Sequence, residues 1–254
     1  MSAKKVETTS KIVVIGDIHG RAVWKKIVND NADADKFIFL GDYFDSHEKR
    51  YHTERQKFNF NEIISLQETL GEDKVILLLG NHDYHYISSR EKYSGYDYFL
   101  AFDIKDRLTE LYNSGKIKVL HIEDNLLFSH AGVTKTWLNK VAGVNELNDC
   151  NKPETFNHRT LEWNTIAGYD SYGDTKSNSP IWVRPASLIS DKLEGYIQIV
   201  GHTTVDEKVL NDEHINKMKE SDVYLADILP YYYIVIENSD INYVKIEYQE
   251  NHES

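Results

Sequence analysis

Five apolar runs in this chain each stop at a small residue that is followed at once by Asp, Asn or His. They read Ile12-Val13-Val14-Ile15-Gly16-Asp17-Ile18-His19-Gly20, Phe37-Ile38-Phe39-Leu40-Gly41-Asp42 and Val75-Ile76-Leu77-Leu78-Leu79-Gly80-Asn81-His82-Asp83. Later come Leu126-Leu127-Phe128-Ser129-His130-Ala131-Gly132 and Ile197-Gln198-Ile199-Val200-Gly201-His202-Thr203. Runs of this length suit strands, and continuous rather than alternating apolar character implies cover on both faces. The small residue allows a sharp turn and close backbone approach. In open α/β sheets, ligands gather outside the carboxyl ends of the strands, where every one of these polar residues falls.

Between the runs the chain alternates. A strand at 11–15 is followed by a helix at about 21–31, a strand at 36–40 and a helix at 54–70 with Phe58, Ile63, Leu66 and Leu70 near a 3.6 period. A strand at 75–79 precedes a helix at 96–113, with Phe99, Phe102, Leu108, Leu111 and Tyr112 on one side and Gly115 just past its end. Strands at 117–122 and 126–129 flank Glu123-Asp124-Asn125, a hairpin signal. Strands at 231–237 and 242–248 flank Asn238-Ser239-Asp240, another. The expected fold is mixed α/β: a parallel-rich half, then an antiparallel-rich half, as two β-sheets face to face with helices outside. Residues 145–179 are polar and rich in Asn, Asp and Gly, an irregular segment that can overhang a site. One domain is expected over 11–249, with flexible ends at 1–10 and 250–254.

The 254 residues suffice to bury a large core without staples. A single cysteine, Cys150, excludes an internal disulfide and fits a reducing, cytoplasmic compartment. The N-terminus has no hydrophobic targeting stretch, and no run spans a bilayer, so no membrane partner is expected. A formal net charge of −12 lacks the basic footprint that nucleic acid demands. Abundant Lys, Asn, Ile and Tyr point to an AT-rich bacterial or phage genome.

The donor set, Asp17, His19, Asp42, Asn81, His130 and His202, mixes oxygen and imidazole. Such sites suit Mn, Fe, Zn or Ni and suit Ca poorly. Six side chains exceed what one catalytic ion needs and match two divalent ions sharing a bridging carboxylate. Two adjacent ions activate a bridging water as hydroxide and clamp a phosphoryl group for in-line attack. His82, beside Asn81, is the natural general acid for the leaving group, with Asp45 the carboxylate that orients it.

Each signal alone has a plainer reading. A Gly-Asp after a strand is commonly a turn, Asn81-His82-Asp83 can cap a helix, and a lone His130 or His202 can be a hydrogen-bonded core residue. It is the conjunction of five cassettes that points to a metal site. His47 and His85 lie near cassettes and are candidates to face the cleft. His52, His121, His158, His214 and His252 lack that context, and Glu48-Lys49-Arg50 reads as a solvated loop.

In this order the motifs resemble the calcineurin-like metallophosphoesterase superfamily, closest to its phosphoprotein phosphatase branch of bacterial and phage serine/threonine phosphatases. The matching residues are Gly16-Asp17-Ile18-His19-Gly20, Gly41-Asp42-Tyr43-Phe44-Asp45-Ser46-His47, Gly80-Asn81-His82-Asp83, His130-Ala131-Gly132 and Gly201-His202-Thr203. The resemblance implies a four-layer αββα sandwich. It implies that Asp17, His19 and Asp42 hold one metal, with manganese the leading choice. Asp42 bridges, and Asn81, His130 and His202 complete the second site. His82 then matches the general acid and Asp45 its partner. Arg184, in Ile181-Trp182-Val183-Arg184-Pro185, resembles a phosphate-binding arginine beside Asn81 and His82, and Trp182 is expected to pack. The family's second motif ends Asp-Arg-Gly, whereas this chain has Asp45-Ser46-His47. Arg50, Arg55 or His47 is the expected replacement for the missing arginine.

The leading expectation is hydrolysis of phosphomonoesters in a phosphorylated protein, with phosphoserine or phosphothreonine foremost. A small phosphoester such as a dinucleoside polyphosphate is the alternative. A nuclease or phosphodiesterase ranks lower, because Gly201-His202-Thr203-Thr204 lacks the second His common in those relatives. A non-catalytic binding protein ranks last.

Overall fold

The computed structural model describes residues 5–48, 50–88, 90, 92–154, 156–164, 166 and 168–247. The expected end of the last strand at 248, the tail, His252 and Lys49 lie outside the described residues.

One sheet has six strands in the order β10-β9-β1-β2-β3-β4, built from β1 (Ile12–Ile15), β2 (Lys36–Phe39), β3 (Val75–Leu78), β4 (Ile117–Lys118), β9 (Tyr232–Glu237) and β10 (Asp240–Lys245). The other has four, β5-β6-β7-β8, from β5 (Leu120–Glu123), β6 (Leu126–Ser129), β7 (Ile197–Val200) and β8 (Val223–Leu225). β1 to β4 are mutually parallel, as are β6 to β8, while β9 and β5 each join antiparallel. The expected division into a parallel half and an antiparallel half is thereby corrected. The C-terminal hairpin returns to the first sheet, and the second sheet is itself mostly parallel.

Alternation along each strand sets the layers. Ile12, Val14, Ile38, Leu40, Ile76 and Leu78 face across the sandwich to Leu126, Phe128, Ile197 and Ile199. Val13, Ile15, Phe37, Phe39, Val75 and Leu77 face the other way, into helices α1 (Trp24–Asp30), α2 (Thr53–Leu70) and α4 (Tyr98–Asn113). The second sheet is covered by α6 (Pro185–Ser190), whose Leu188 packs with Val200 and Val223. Two short helices, α3 (Asn81–Ile87) and α5 (Lys135–Trp137), and the later α7 (Asp212–Ser221) complete the set. Residues 5–10, expected to be flexible, lie against the sandwich. Val6 is buried in the layer between the sheets, and Asn125 bonds to the backbone of Lys5 and Glu7.

Three local expectations change. The strand at 117–122 is two strands in different sheets. Its corner at Val119 is clipped by Asn151, whose side chain accepts from the N–H of Val119 and Leu120 and donates to the Leu120 carbonyl. In α4, Phe99 and Phe102 are 85% and 91% exposed, while Leu100, Ile104, Leu108 and Leu111 form the buried stripe at steps of four and three. In α2, Phe58 is exposed, and the buried face includes Gln56, Asn59 and Gln67. These amides bond to groups outside the helix: Asn59 to the Trp24 indole, Gln67 to the carbonyls of Val75 and Lys116, Gln56 to Tyr51 and Ser46. Polar residues hydrogen-bonded in this way can be buried, so apolar periodicity alone sets the wrong face.

Candidate metal centre

All five cassettes end at one edge of the sandwich, around a cleft of about 460 Å³ lined by Asp17, His19, Asp42, Asn81, His82, Arg184 and His202, among others. His130 is fully buried beneath it. The small residues earn their place by proximity. A Cβ on Gly80 would stand 2.1 Å from Asp42 Oδ1, and one on Gly201 would stand 2.2 Å from Asp17 Oδ1. Each glycine thus makes room for the carboxylate of a neighbouring cassette. His19, Asp42, Asp45 and His202 adopt positive φ between 42° and 61°, an uncommon conformation for residues with side chains and one that clusters at functional sites.

Asp42 sits at the centre. Its carbonyl accepts from His19 N at 2.7 Å, its Oδ1 accepts from His82 N at 2.9 Å, and its Oδ2 lies 3.7 Å from His19 Nε2 and 3.5 Å from His130 Nε2. Asp17 accepts from His202 N at 3.1 Å. Asp83, at the start of α3, clasps the second cassette to the third: it accepts from Asp42 N (2.8 Å), Tyr43 N (2.8 Å) and Gly80 N (2.9 Å).

Three histidines have one ring nitrogen facing a backbone carbonyl: His19 Nδ1 on Phe44 O (2.6 Å), His130 Nδ1 on Leu40 O (2.8 Å) and His202 Nε2 on Trp182 O (3.2 Å). A carbonyl only accepts, so that nitrogen carries the hydrogen and the other keeps its lone pair. The same arrangement orients metal-binding imidazoles. Burial, foremost, pushes all three below the ordinary histidine range, which keeps them neutral.

The lone pairs converge. His130 Nε2 and Asn81 Oδ1 approach to 2.9 Å. Two acceptors at that distance, facing the Asp42 carboxylate, suit a shared cation. Asp17, His19 and Asp42 likewise present donor atoms within 4.8 Å of one another. Burial, then the charges of Asp227 and Asp42, push the Asp17 carboxyl well above its usual range. Burial also presses the Asp42 carboxyl upward, and it is positive charge on the surrounding imidazoles, His130 first, that would hold it low. Buried carboxylates without a counterion are costly, so the donors fit divalent ions.

Asp45, His82 and His85 form a second group with donor atoms within 4.8 Å. Here hydrogen bonds to Asp45 from His82 and Tyr86 account for the geometry, and His85 Nε2 lies close by without a hydrogen bond among the described residues. His82 Nδ1 lies 2.9 Å from Asp45 Oδ2, Tyr86 donates its hydroxyl to Asp45 Oδ1, and His85 Nε2 is 2.7 Å from Asp45 Oδ2. The N–H of Tyr93 donates to His85 Nδ1 at 3.3 Å, so the hydrogen of His85 sits on Nε2. Burial lowers the His82 pKa, but the charges of Asp42, Asp45 and Asp83 and the Asp45 bond prevail and lift it to about 9.

Arg184 reaches the cleft with Nε on Tyr172 O (3.1 Å) and Nη1 on His202 O (2.9 Å) and Thr203 Oγ1 (3.1 Å). Among the described residues of 145–179, two short 3₁₀ helices, Leu147–Asn151 and His158–Leu161, break the expected irregular stretch, and the Tyr172 carbonyl fixes this arginine. Trp182 is buried between Trp163, Tyr93 and His202. His47 lines the cleft, but His85 is buried under Asp45 instead. Arg50 and Arg55, expected as replacements for the missing arginine, lie outside the cleft lining. Arg50 pairs with Glu48 and stacks on Tyr51, and Arg55 stacks on the same ring.

Sequence reasoning missed Asp227, a buried cleft carboxylate bonded by Thr204 Oγ1 at 2.6 Å. It follows Val223-Tyr224-Leu225-Ala226, a strand-end cassette like the others but with a three-residue strand and no glycine. Arg21, also in the cleft, was missed too.

Fold and site define a metal-dependent phosphoester hydrolase. The chain belongs to the calcineurin-like phosphoesterase family, whose model matches residues 10–223. Among solved structures, it is similar to the cold-active protein-tyrosine phosphatase of a psychrophilic Shewanella species. The TM-score is 0.60 and the identity 18%, over 94% of this chain and 81% of that one. It is also similar to a protein serine/threonine phosphatase from Saccharomyces cerevisiae, with TM-score 0.52 and 13% identity, over 95% of this chain and 82% of that one. No curated protein matches. Among the described residues, no helix is long and apolar enough to cross a membrane.

Proposed function

We propose that this chain is a dimetal phosphomonoesterase acting on phosphoserine or phosphothreonine in phosphorylated proteins. Asp17, His19 and Asp42 would hold one divalent cation, and Asp42, Asn81, His130 and His202 the other, with Asp42 shared. Manganese is the first candidate, ahead of Fe, Zn and Ni. Bound there, the cations supply Lewis acidity toward phosphoryl oxygens and a nucleophilic water at neutral pH. The protein does the rest. Arg184, Asn81 and His82 orient the phosphoryl group, and His82 Nε2 gives a proton to the departing oxygen. Asp45 holds Nδ1–H and stabilises the imidazolium, with Tyr86 fixing its carboxylate. The observation that carries this reading is the His82–Asp45 pair, 2.9 Å apart beside the converging lone pairs. The lone cysteine, buried, suits a reducing, cytoplasmic setting.

At the identities above, similarity to a tyrosine phosphatase and to a serine/threonine phosphatase reports the fold alone, so phosphotyrosine belongs in the test. The protein is assayed with Mn²⁺ on phosphoserine, phosphothreonine and phosphotyrosine peptides, p-nitrophenyl phosphate and diadenosine tetraphosphate. Turnover of phosphoserine and phosphothreonine peptides with none of the dinucleotide is expected, and the reverse preference overturns the reading. His82→Ala should retain its metals but lose about 10²–10⁴-fold in turnover of alkyl phosphates, with less effect on p-nitrophenyl phosphate, whose leaving group needs little protonation. Equal losses on both esters would remove His82 from the acid role.

A further inference from the structure

Position 46, where the resemblance places an arginine, holds a serine that structures its loop. Ser46 N donates to Gln56 Oε1, and Ser46 Oγ accepts from Glu48 N. Ser46 lines a neighbouring hollow rather than the metal cleft. The same loop instead delivers a carboxylate: Glu48 Oε1 accepts from Arg21 Nε at 3.3 Å.

Arg21 follows the first cassette and lines the metal cleft. Its Nη1 lies 3.4 Å from the Asp17 carbonyl, which fixes the guanidinium plane at the rim of the donor cluster. Its Nη2 makes no hydrogen bond among the described residues. Arg184 is held in the same manner, by Nε and Nη1 on neighbouring groups, and its Nη2 is likewise uncommitted among the described residues. Both guanidiniums lie within electrostatic reach of Asp17 and Asp227. A phosphate dianion in the cleft therefore meets two oriented cationic forks, each with a donor to spare.

We propose that Arg21 is a phosphate-binding residue of this site, supplying from the first cassette the charge that is absent at position 46. This rests on the phosphomonoesterase reading. A planar guanidinium suits the oxygens of a phosphoryl group, and Glu48 pre-orients it, so little side-chain freedom is lost on binding. The arrangement selects esters with a terminal dianionic phosphate, which can satisfy both arginines, over diesters, which carry one charge.

The test is binding of inorganic phosphate to the Mn²⁺-loaded protein by calorimetry, alongside KM and kcat for p-nitrophenyl phosphate. Arg21→Gln should weaken phosphate about 10- to 100-fold and raise KM by a like factor, with metal content and melting temperature kept. Arg21→Lys should fall between, retaining charge without the fork. Arg50→Gln removes the other partner of Glu48 and should leave phosphate affinity unchanged, which separates anion binding from bracing of the loop. Phosphate affinity that is unaltered in Arg21→Gln, or weakened equally in Arg50→Gln, overturns the assignment. So does a loaded wild-type protein that binds no phosphate. A wild type that binds phosphate through Arg21 but hydrolyses none of the esters overturns the proposed function alone.

Discussion

Asp83 gives the sharpest test of how the site is held. Its carboxylate is fully buried and accepts three backbone N–H groups, from Gly80 and Asp42 on Oδ2 and from Tyr43 on Oδ1. Burial and the nearby Asp42 charge push its pKa upward. A proton on either oxygen would weaken the three bonds, so the geometry favours the ionised form. Asp83→Asn keeps the shape and exchanges one oxygen for an NH₂. The best rotamer leaves the amide oxygen on Gly80 and Asp42 and turns the NH₂ against the N–H of Tyr43. One charge-assisted bond is lost, about 1.5–3 kcal/mol, and a buried donor is left unsatisfied, about 1–3 kcal/mol. The expected destabilisation is about 4 kcal/mol, read as urea unfolding in the presence of a chelator. Because the clasp joins the loops carrying Asp42 and Asn81, Mn²⁺ affinity should fall at least about tenfold in calorimetric titration. A stability change below about 1 kcal/mol with unchanged Mn²⁺ affinity would refute the reasoning.

Two further outcomes follow from packing and charge. Gly201→Ala places a Cβ 2.2 Å from Asp17 Oδ1, so the carboxylate must move. Mn²⁺ affinity should drop more than about tenfold for a stability cost of about 1–3 kcal/mol, and calorimetry showing wild-type affinity would contradict the close-approach argument. His121 is largely buried, and desolvation, with Lys118 and Lys36, lowers its pKa to about 4. The unfolded chain, near 6.5, takes up the proton first. Its contribution to stability is therefore complete above about pH 6.5 and lost as pH falls toward 4. Glu123, 3.4 Å away, offsets part of this, leaving about 2–3 kcal/mol. His121→Gln should flatten the pH dependence of unfolding over that window, and parallel curves for the two proteins would exclude the assignment.

Much of the site is legible locally because a strand end is a local event. A buried run that stops at Gly-Asp or Gly-Asn-His reports both the strand and the side chain it delivers, so the expected donors lie together at one edge. The pairing of His82 with Asp45 across 37 residues was also within reach, since both follow cassettes. Asp227 was open to the same logic. Its strand, Val223–Leu225, is too short for the apolar run to stand out.

What the sequence alone determined is the strands buried on both faces and the chemistry at their ends, since both depend on the order of neighbouring residues. What only the tertiary structure decided is which groups meet. It placed the C-terminal hairpin beside β1, split the chain between sheets at Val119, and buried Asn59 and Gln67 while leaving Phe99 and Phe102 exposed. It chose Arg21 over Arg50 and Arg55 for the cleft, and it set the histidine tautomers through carbonyls of Phe44, Leu40 and Trp182. The physical reason is common to all of these. Each depends on a hydrogen bond or close contact between segments distant in the chain, and such partners exist only once the two sheets have closed on one another.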